Sequence, residues 1–203
     1  MVVLLWNIRG SGKKARVRQL RELMNREQVE IVGVQETIKQ DFSDQELLSI
    51  SADFQWRWIP ARGHLGGILM GVKDSLLQVE EWIVGEYFIE ATIRHRGNNF
   101  RWVVMVVYGP TQHEFSGFFL EELASRLENR ILPTLLGGDF NLIRTMGDKS
   151  SGLGDAGLIS MFNSFIERFD LREIQRIGDK FTWTNKQDNP VSDEQHRQGV
   201  GEH

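Results

Sequence analysis

A carboxylate and a carboxamide, Asp139 and Asn141, stand two positions apart just after a short apolar strand that ends in Gly137-Gly138. If the backbone stays extended there, both side chains leave the same face, because Cβ direction alternates along a strand. A carboxylate is a hard oxygen ligand for Mg²⁺, and a carboxamide supplies both a donor and an acceptor. The pair therefore indicates a site for water or a metal ion. The competing interpretation is a loop in which both side chains bond to turn backbone.

Three further polar side chains follow predicted apolar strands in the same way: Asn7, Glu36 and Tyr108. In α/β proteins, ligand sites gather beyond the carboxyl ends of core strands. Two carboxylates, two carboxamides and a phenol, without cysteine or paired histidine, favour Mg²⁺ or Mn²⁺ over zinc. Each residue also has a structural explanation, because Asn7 and Glu36 can cap a turn or helix and Tyr108 can be a core-rim aromatic. Four such strand ends in one chain favour a shared site.

The hydrophobic pattern predicts the elements that must position these residues. Apolar runs and alternating patterns predict strands over residues 2–6, 29–35, 54–59, 66–72, 76–84, 87–94, 100–107, around 135 and over 181–184. Apolar residues at helical spacing predict helices over residues 13–24, 44–50, 115–129 and 158–169. The first strand is expected to be covered on both faces. The third helix is expected to turn Phe118, Phe119, Leu123 and Leu127 inward.

The composition is that of a folded chain with one sizeable core. The 203 residues are 40% hydrophobic and 26% charged, and they include no cysteine. The absence of disulfides and thiolate metal ligands predicts an intracellular protein, in the nucleus or the cytoplasm. The apolar run near the start is too short to span a membrane. The residues after 185 carry few aliphatic side chains, so a frayed or disordered tail is expected.

The formal net charge of −4 gives no overall attraction for nucleic acid, so binding of that kind needs a local basic face. The first predicted helix carries five basic residues: Lys13, Lys14, Arg16, Arg18 and Arg21. Such a run is most often a solvated surface. The alternative is a patch that faces backbone phosphates.

Five short motifs occur in a fixed order along the chain. They are Leu5-Trp-Asn-Ile-Arg-Gly10, Val34-Gln-Glu-Thr37, Val107-Tyr-Gly-Pro110, Gly137-Gly-Asp-Phe-Asn141 and Phe181-Thr-Trp183. With these motifs, over residues 2 to about 190, the chain resembles the endonuclease/exonuclease/phosphatase superfamily. It is most similar to the apurinic/apyrimidinic-type endonuclease domain of plant non-LTR (LINE-type) retrotransposons. Gly66-Gly67 and Arg144 also resemble that subgroup.

The resemblance implies a four-layered α/β sandwich, in which two mixed β-sheets pack face to face with helices outside. It also implies hydrolysis of a DNA phosphodiester with Mg²⁺ or Mn²⁺. By motif, Glu36 would be the principal metal ligand and Asn7 its neighbour at the metal site.

The same resemblance assigns the remaining site residues. Asp139 would orient or deprotonate the attacking water, and Asn141 would help to hold phosphate and water. Tyr108 would contact the scissile phosphate. Three basic residues would contact DNA: Arg144, which resembles the subgroup, and Lys13 and Lys14, if the first helix faces backbone phosphates.

The sequence departs from the family after the Phe181-Thr-Trp183 motif. The family continues there into an Arg-Leu-Asp segment and a Ser-Asp-His motif, whereas this chain has Ser192-Asp-Glu-Gln-His196 at the wrong spacing. We therefore expect a domain over residues 1–190 that is incomplete at its C-terminus, with a disordered tail over 191–203. Weak or absent activity and an aggregation-prone monomer are also expected. The alternatives are a non-enzymatic retrotransposon remnant and a phosphatase or small-phosphodiester hydrolase of the same superfamily.

Overall fold

The computed structural model describes residues 1–11, 14–62, 66–148 and 155–174. Over these residues the fold is mixed α/β. Eight strands are described: β1 Val3–Asn7, β2 Ile31–Gln35, β3 Phe54–Ile59, β4 Ile68–Lys73, β5 Leu77–Val84, β6 Phe88–His95, β7 Arg101–Tyr108 and β8 Thr134–Asp139. Four α-helices are described: α1 Lys14–Arg26, α2 Asp44–Ile50, α3 Ser116–Leu127 and α4 Ala156–Arg168.

The strands form two four-stranded sheets, each of which is mixed. The first sheet has the order β1-β2-β4-β3 and the second has the order β5-β6-β7-β8. In the first sheet β1 and β2 are parallel, and in the second β7 and β8 are parallel, whereas the other neighbours are antiparallel. Two mixed sheets are what the sequence resemblance predicted.

The two sheets pack face to face over a core of aliphatic side chains. Ile31, Met70 and Val72 of the first sheet lie in one buried cluster with Ile89 and Val104 of the second. All five are at most 1% exposed. The continuous apolar runs in β2 and β7 are explained by this position, because both strands are also covered on their outer faces.

Helices cover the two outer faces of the sandwich. Leu20 and Met24 of α1 and Leu47 and Ile50 of α2 are buried in one cluster with Val32 of β2. On the opposite side, Phe119 of α3 makes an edge contact with Tyr87, just before β6, with ring centroids 5.5 Å apart. This gives the four layers helix, sheet, sheet and helix that were predicted.

The third helix corrects one expectation about its buried face. Phe119, Leu123 and Leu127 are buried as expected, but Phe118 is 66% exposed. Phe118 lies about 100° around the helix from Phe119, and the sheet contacts only the stripe that Phe119 begins. Helical spacing alone does not show which of two adjacent phenylalanines belongs to the stripe.

The first strand is less deeply buried than expected. β1 is the edge of its sheet, and its residues are half-buried, with Leu5 39% exposed. Both faces of β1 are nevertheless covered in part, because Val3 packs against the cluster between the sheets, and Leu4 and Trp6 pack against the cluster under α1 and α2. The β-prone apolar composition is shared by edge and central strands, so it does not distinguish them.

The chain divides into two compact units, Met1–Asn141 and a second that begins at Leu142. The second unit contains α4, whose N-terminus is capped by Asp155. The Asp155 carboxylate accepts hydrogen bonds from the backbone N of Gly157 (2.8 Å) and of Leu158 (3.2 Å). The predicted strand at 181–184, the domain boundary at 190 and the tail over 191–203 lie outside the described residues. None of the described helices is both long and apolar enough to cross a membrane.

Candidate active site

Four strands that run in parallel pairs bring the predicted site residues to one edge of the sandwich. In the first sheet Asn7 at the end of β1 is the register partner of Gln35 at the end of β2, and Glu36 follows. In the second sheet Tyr108 at the end of β7 is the register partner of Asp139 at the end of β8. Parallel strands place their carboxyl ends side by side. The site therefore uses two strand ends from each sheet.

A side-chain hydrogen bond joins the two halves of this site. The Asn7 Nδ2 donates to the Asp139 Oδ2 across 2.8 Å. Because Nδ2 faces Asp139, the other atom of the amide, Oδ1, points elsewhere. That Oδ1 is buried and has no hydrogen-bond partner among the described residues. A buried amide oxygen without a partner is costly unless a ligand, ion or water satisfies it.

Asn141 is not arranged as the sequence suggested. β8 ends at Asp139, and Asn141 has a φ of +50°, so the backbone between them is not extended. Instead, the backbone N of Asn141 donates to the Asp139 Oδ1 across 3.0 Å, and the Asn141 Nδ2 donates to the carbonyl oxygen of Gly109 across 2.7 Å. The alternative interpretation of the sequence, in which both side chains bond to turn backbone, thus holds in part: Asp139 accepts from the Asn141 backbone, and Asn141 donates to the Gly109 backbone. The effect is that each carboxylate oxygen of Asp139 accepts one protein hydrogen bond, which fixes its orientation.

Glu36 lies in a segment that is held by backbone on both sides. Its φ is +56°, a left-handed conformation that few non-glycine residues adopt. The carbonyl oxygen of Glu36 accepts from the backbone N of Gly10 across 2.7 Å, and that of Thr37 accepts from the backbone N of Ser11 across 2.8 Å. On the other side, the backbone N of Thr37 donates to the carbonyl of Gly67 across 3.3 Å. These contacts stabilise the strained backbone and direct the Glu36 carboxylate.

Gly66 lets two of the site side chains come together. A Cβ built on Gly66 would lie 3.0 Å from both Cα and Cγ of Glu36 and 3.2 Å from Cε1 of Tyr108. Both side chains therefore lie directly over the Gly66 backbone, and any side chain at this position would push against them. The structure thus identifies the side chains of Glu36 and Tyr108 as those that closely approach the Gly66 backbone.

The Tyr108 hydroxyl is held in its neutral form. Burial, together with the negative charges of Glu36 and Asp139, raises the pKa of Tyr108 to about 12, although the Arg9 charge acts in the opposite direction. Tyr108 is 5% exposed, which agrees with burial as the main cause. At neutral pH this phenol is a hydrogen-bond donor.

The residues at this edge fit a hard divalent cation such as Mg²⁺ or Mn²⁺. The donors are the Glu36 carboxylate and the unpartnered buried Oδ1 of Asn7, both oxygen atoms, with Asp139 hydrogen-bonded to Asn7. The described residues contain no group of three or more His, Cys, Asp and Glu side chains gathered as a metal centre. The described residues would thus supply only part of a coordination shell, as is usual for Mg²⁺, which keeps several waters and binds substrate phosphate.

The structure describes two of the three residues that were predicted to contact DNA. Lys13 lies outside the described residues, and Lys14 is exposed at the first position of α1. Arg144 lies in the second unit, where its Nε donates to the Asn163 Oδ1 across 3.3 Å and its guanidinium lies 3.6 Å from the Glu173 carboxylate. The predicted DNA contacts of these residues remain predictions.

The basic face of α1 is largely engaged with protein partners. Arg16 donates to the backbone carbonyl oxygens of Ile8 and Arg9. Arg18 lies 3.8 Å from the Glu22 carboxylate, and Arg21 donates to the carbonyl of Ser49 across 3.2 Å. Arg16 thus fixes the loop after β1, a role that the sequence pattern did not indicate, because a basic residue on an amphipathic helix is usually solvated.

Comparison with known protein families gives a match over most of the chain. The family model described as "Endonuclease/Exonuclease/phosphatase family" matches residues 4–193. No curated protein matches the sequence significantly.

Solved structures with the same fold have low sequence identity. An AP endonuclease from Archaeoglobus fulgidus is 14% identical, with a TM-score of 0.63, and the match covers 82% of this chain and 70% of that one. The human Nocturnin catalytic domain is 16% identical, with a TM-score of 0.57, covering 70% of this chain and 65% of that one. TDP2 from D. rerio, complexed with single strand DNA product, is 13% identical with a TM-score of 0.53, covering 70% and 60%. The chain thus spans less than two thirds of the Nocturnin and TDP2 chains.

Proposed function

The chain belongs to the endonuclease/exonuclease/phosphatase family, and on that premise we propose that it is a divalent-metal-dependent phosphodiesterase whose substrate is DNA. The observation that carries the proposal is the Asn7–Asp139 hydrogen bond, together with the buried, unpartnered Oδ1 of Asn7. A pair of this kind orients a carboxylate and leaves a buried amide oxygen that a ligand can satisfy. The nicking of DNA in the manner of a retrotransposon endonuclease is the specific form that the sequence motifs support.

Asp139 is proposed to hold and deprotonate the attacking water. Each of its carboxylate oxygens accepts one protein hydrogen bond, from Asn7 and from the Asn141 backbone, and keeps a further lone pair for a water proton. A base fixed in this way loses little orientational freedom when the water binds. General-base action by a placed group typically contributes about 10²–10⁴-fold to a rate.

Tyr108 is proposed to donate a hydrogen bond to a phosphate oxygen. Its neutral hydroxyl is buried and feels the charges of Glu36 and Asp139, in a site where a donor to an incoming anion is needed. Asn141 then acts as a positioning residue, because its backbone N–H donates to the Asp139 carboxylate while its side-chain amide donates to the Gly109 carbonyl. Glu36 and Asn7 are the residues that would hold Mg²⁺ or Mn²⁺, which when bound would neutralise charge on the phosphoryl oxygens.

Plasmid nicking tests the proposal. Supercoiled DNA is incubated with the protein and Mg²⁺, and conversion to open circles is measured for the wild type and for Asp139→Asn. We expect nicking that requires the metal and falls at least about 10²-fold in the variant. Nicking that persists in Asp139→Asn would come from another site or from a contaminant and would refute the proposal. The weak activity expected from the sequence stays a prediction, which the absolute rate in the same assay addresses.

A panel of small substrates separates DNA from the other members of the superfamily. A phosphomonoester or a small phosphodiester cleaved much faster than DNA, with the same dependence on Asp139, would favour the phosphatase or small-phosphodiester alternative. TDP2, whose structure with a single strand DNA product shares this fold, supports the choice of DNA as the first substrate to test.

A further inference from the structure

Arg9 lies on a loop that is built into the site although no catalytic role was assigned to it. The backbone N of Ile8 donates to the carbonyl of Gln35 across 3.0 Å, and the backbone N of Gly10 donates to the carbonyl of Glu36 across 2.7 Å. The parallel pairing of β1 with β2 thus continues past both strand ends. Arg9 is held between these two bonds, beside the Glu36 backbone.

Arg16 fixes the same loop from the side of α1. Its guanidinium donates to the carbonyl oxygens of Ile8 and Arg9, and it lies 3.4 Å from that of Gly10. Arg9 itself has a φ of +51°, a conformation that costs free energy and persists where the surroundings impose it. The Arg9 side chain is exposed, whereas its neighbour Ile8 is 3% exposed. A fixed backbone therefore presents an exposed cation at the rim of the site.

The negative charges that a polynucleotide brings to the site indicate a function for the Arg9 guanidinium. A divalent ion held by Glu36 and Asn7 would neutralise charge at the scissile phosphate, so a neighbouring phosphate of a polynucleotide needs a separate cation. Tyr108 is buried and suits the scissile phosphate, whereas Arg9 is exposed and so suits a phosphate outside the reacting centre.

We propose that Arg9 binds a phosphate next to the scissile one and so makes the site selective for polynucleotides over substrates with a single phosphate. This inference rests on the proposed phosphodiesterase function. Arg9 is a specificity residue in this account, because it contacts substrate but not the reacting atoms. Its guanidinium matches phosphate oxygens in a bidentate geometry that lysine does not reproduce.

The test compares binding and hydrolysis in Arg9→Gln and Arg9→Lys with the wild type. Binding of a labelled DNA duplex is measured by fluorescence anisotropy at several salt concentrations in an Asp139→Asn background, which prevents cleavage. Hydrolysis is measured with plasmid DNA and with bis(p-nitrophenyl) phosphate, which has a single phosphate. Arg57→Gln is the matched control, because Arg57 is an exposed arginine on β3, with its guanidinium 5.6 Å from the ring of Trp82.

We expect Arg9→Gln to weaken duplex binding about five- to tenfold and to reduce the slope of log K against log salt by about 0.9. Arg9→Lys should keep the slope but lose part of the affinity. Hydrolysis of the single-phosphate substrate should change less than about twofold, and Arg57→Gln should behave as the wild type. An unchanged slope in Arg9→Gln, or equal losses on both substrates, would overturn the proposal.

The same experiment distinguishes a failure of the Arg9 proposal from a failure of the proposed phosphodiesterase function. If the wild type hydrolyses neither substrate, the proposed function fails, while the salt slope in Arg9→Gln still decides whether Arg9 contacts a phosphate.

Discussion

The Nδ2 of Asn7 lies 2.8 Å from the Oδ2 of Asp139, and this bond joins β1 of the first sheet to β8 of the second. The orientation of the Asp139 carboxylate therefore depends on how the two sheets pack. A change in either sheet that shifts β1 relative to β8 would alter the geometry of the site before it disturbs the packing of the core.

Replacing Asn7 removes both the bond to Asp139 and the buried Oδ1. We expect Asn7→Ala to reduce nicking about 10²-fold while the unfolding free energy falls by about 1 kcal/mol, because one hydrogen bond is lost. The measurements are plasmid nicking and urea denaturation of the same preparation. Asn25→Ala, at an exposed position of α1, is the control and should alter neither. Full activity in Asn7→Ala would show that Asp139 needs no partner.

Glu36 is predicted to be the main protein ligand of the divalent ion. Its side chain lies over Gly66 on a backbone that is fixed from both sides, so the carboxylate is directed into the site. Calorimetric titration with Mg²⁺ or Mn²⁺ should give at least about tenfold weaker binding to Glu36→Gln than to the wild type. Glu121→Gln, an exposed position on α3, serves as the comparison. Equal affinities for all three proteins would remove Glu36 from the metal site.

Gly66→Ala is predicted to impair activity without unfolding the protein. The added methyl would lie 3.0 Å from Cγ of Glu36 and 3.2 Å from Cε1 of Tyr108, so both side chains must move by a few tenths of an ångström. Displacements of this size in a catalytic group lead us to expect an activity loss of about tenfold. Gly117→Ala is the matched change, because nothing lies within 4 Å of its added methyl. If both variants are equally active, the close approach at Gly66 has no catalytic value.

Tyr108 gives a prediction for alkaline pH. Because the chain has only two tyrosines, the difference in phenolate absorbance between the wild type and Tyr108→Phe isolates its titration. In metal-free buffer Tyr108 should ionise near pH 12, about two pH units above its ordinary value of about 10. The unfolded chain releases this proton near pH 10, so the free energy of unfolding should fall as pH rises from 10 to 12, and less steeply in Tyr108→Phe. Titration of Tyr108 near pH 10 would contradict the buried setting.

Glu90 is predicted to stabilise the contact between β6 and α3. Its side chain is 1% exposed and accepts two hydrogen bonds from Arg130, at 3.0 and 2.7 Å, and one from Arg126 at 3.0 Å. Removal of one partner leaves the others with uncompensated charge, so Glu90→Ala should lower the unfolding free energy by about 3 kcal/mol. Denaturant titration measures this, with Glu81→Ala at an exposed position of β5 as the control. A loss below about 1 kcal/mol would mean that water replaces the carboxylate easily.

Much of this architecture could be predicted from the sequence because the apolar runs are long and their ends are sharp. Residues 44–50 and 54–59 form α2 and β3 with the predicted bounds. The arrival of Asn7, Glu36, Tyr108 and Asp139 at strand ends follows from the same runs. The roles of these residues in catalysis stay predictions.

The features that the sequence did not reveal depend on tertiary contacts. The conformation of Asn141 is set by its bonds to Asp139 and Gly109, which no local pattern encodes. The pairing of Glu90 with Arg126 and Arg130 joins residues 36 and 40 positions apart. A lone glutamate inside an apolar strand was the available signal, since a buried carboxylate requires a cationic partner.

The bond between Asn7 and Asp139 spans 132 positions of the chain. A refolding chain must close this long loop and pair β7 with β8 before the two side chains meet, whereas α1 and α2 form from neighbours in sequence. During refolding from denaturant, helical circular dichroism should therefore recover first. Metal affinity and catalytic turnover should return only in the slowest phase, which makes the site a late reporter of the native topology.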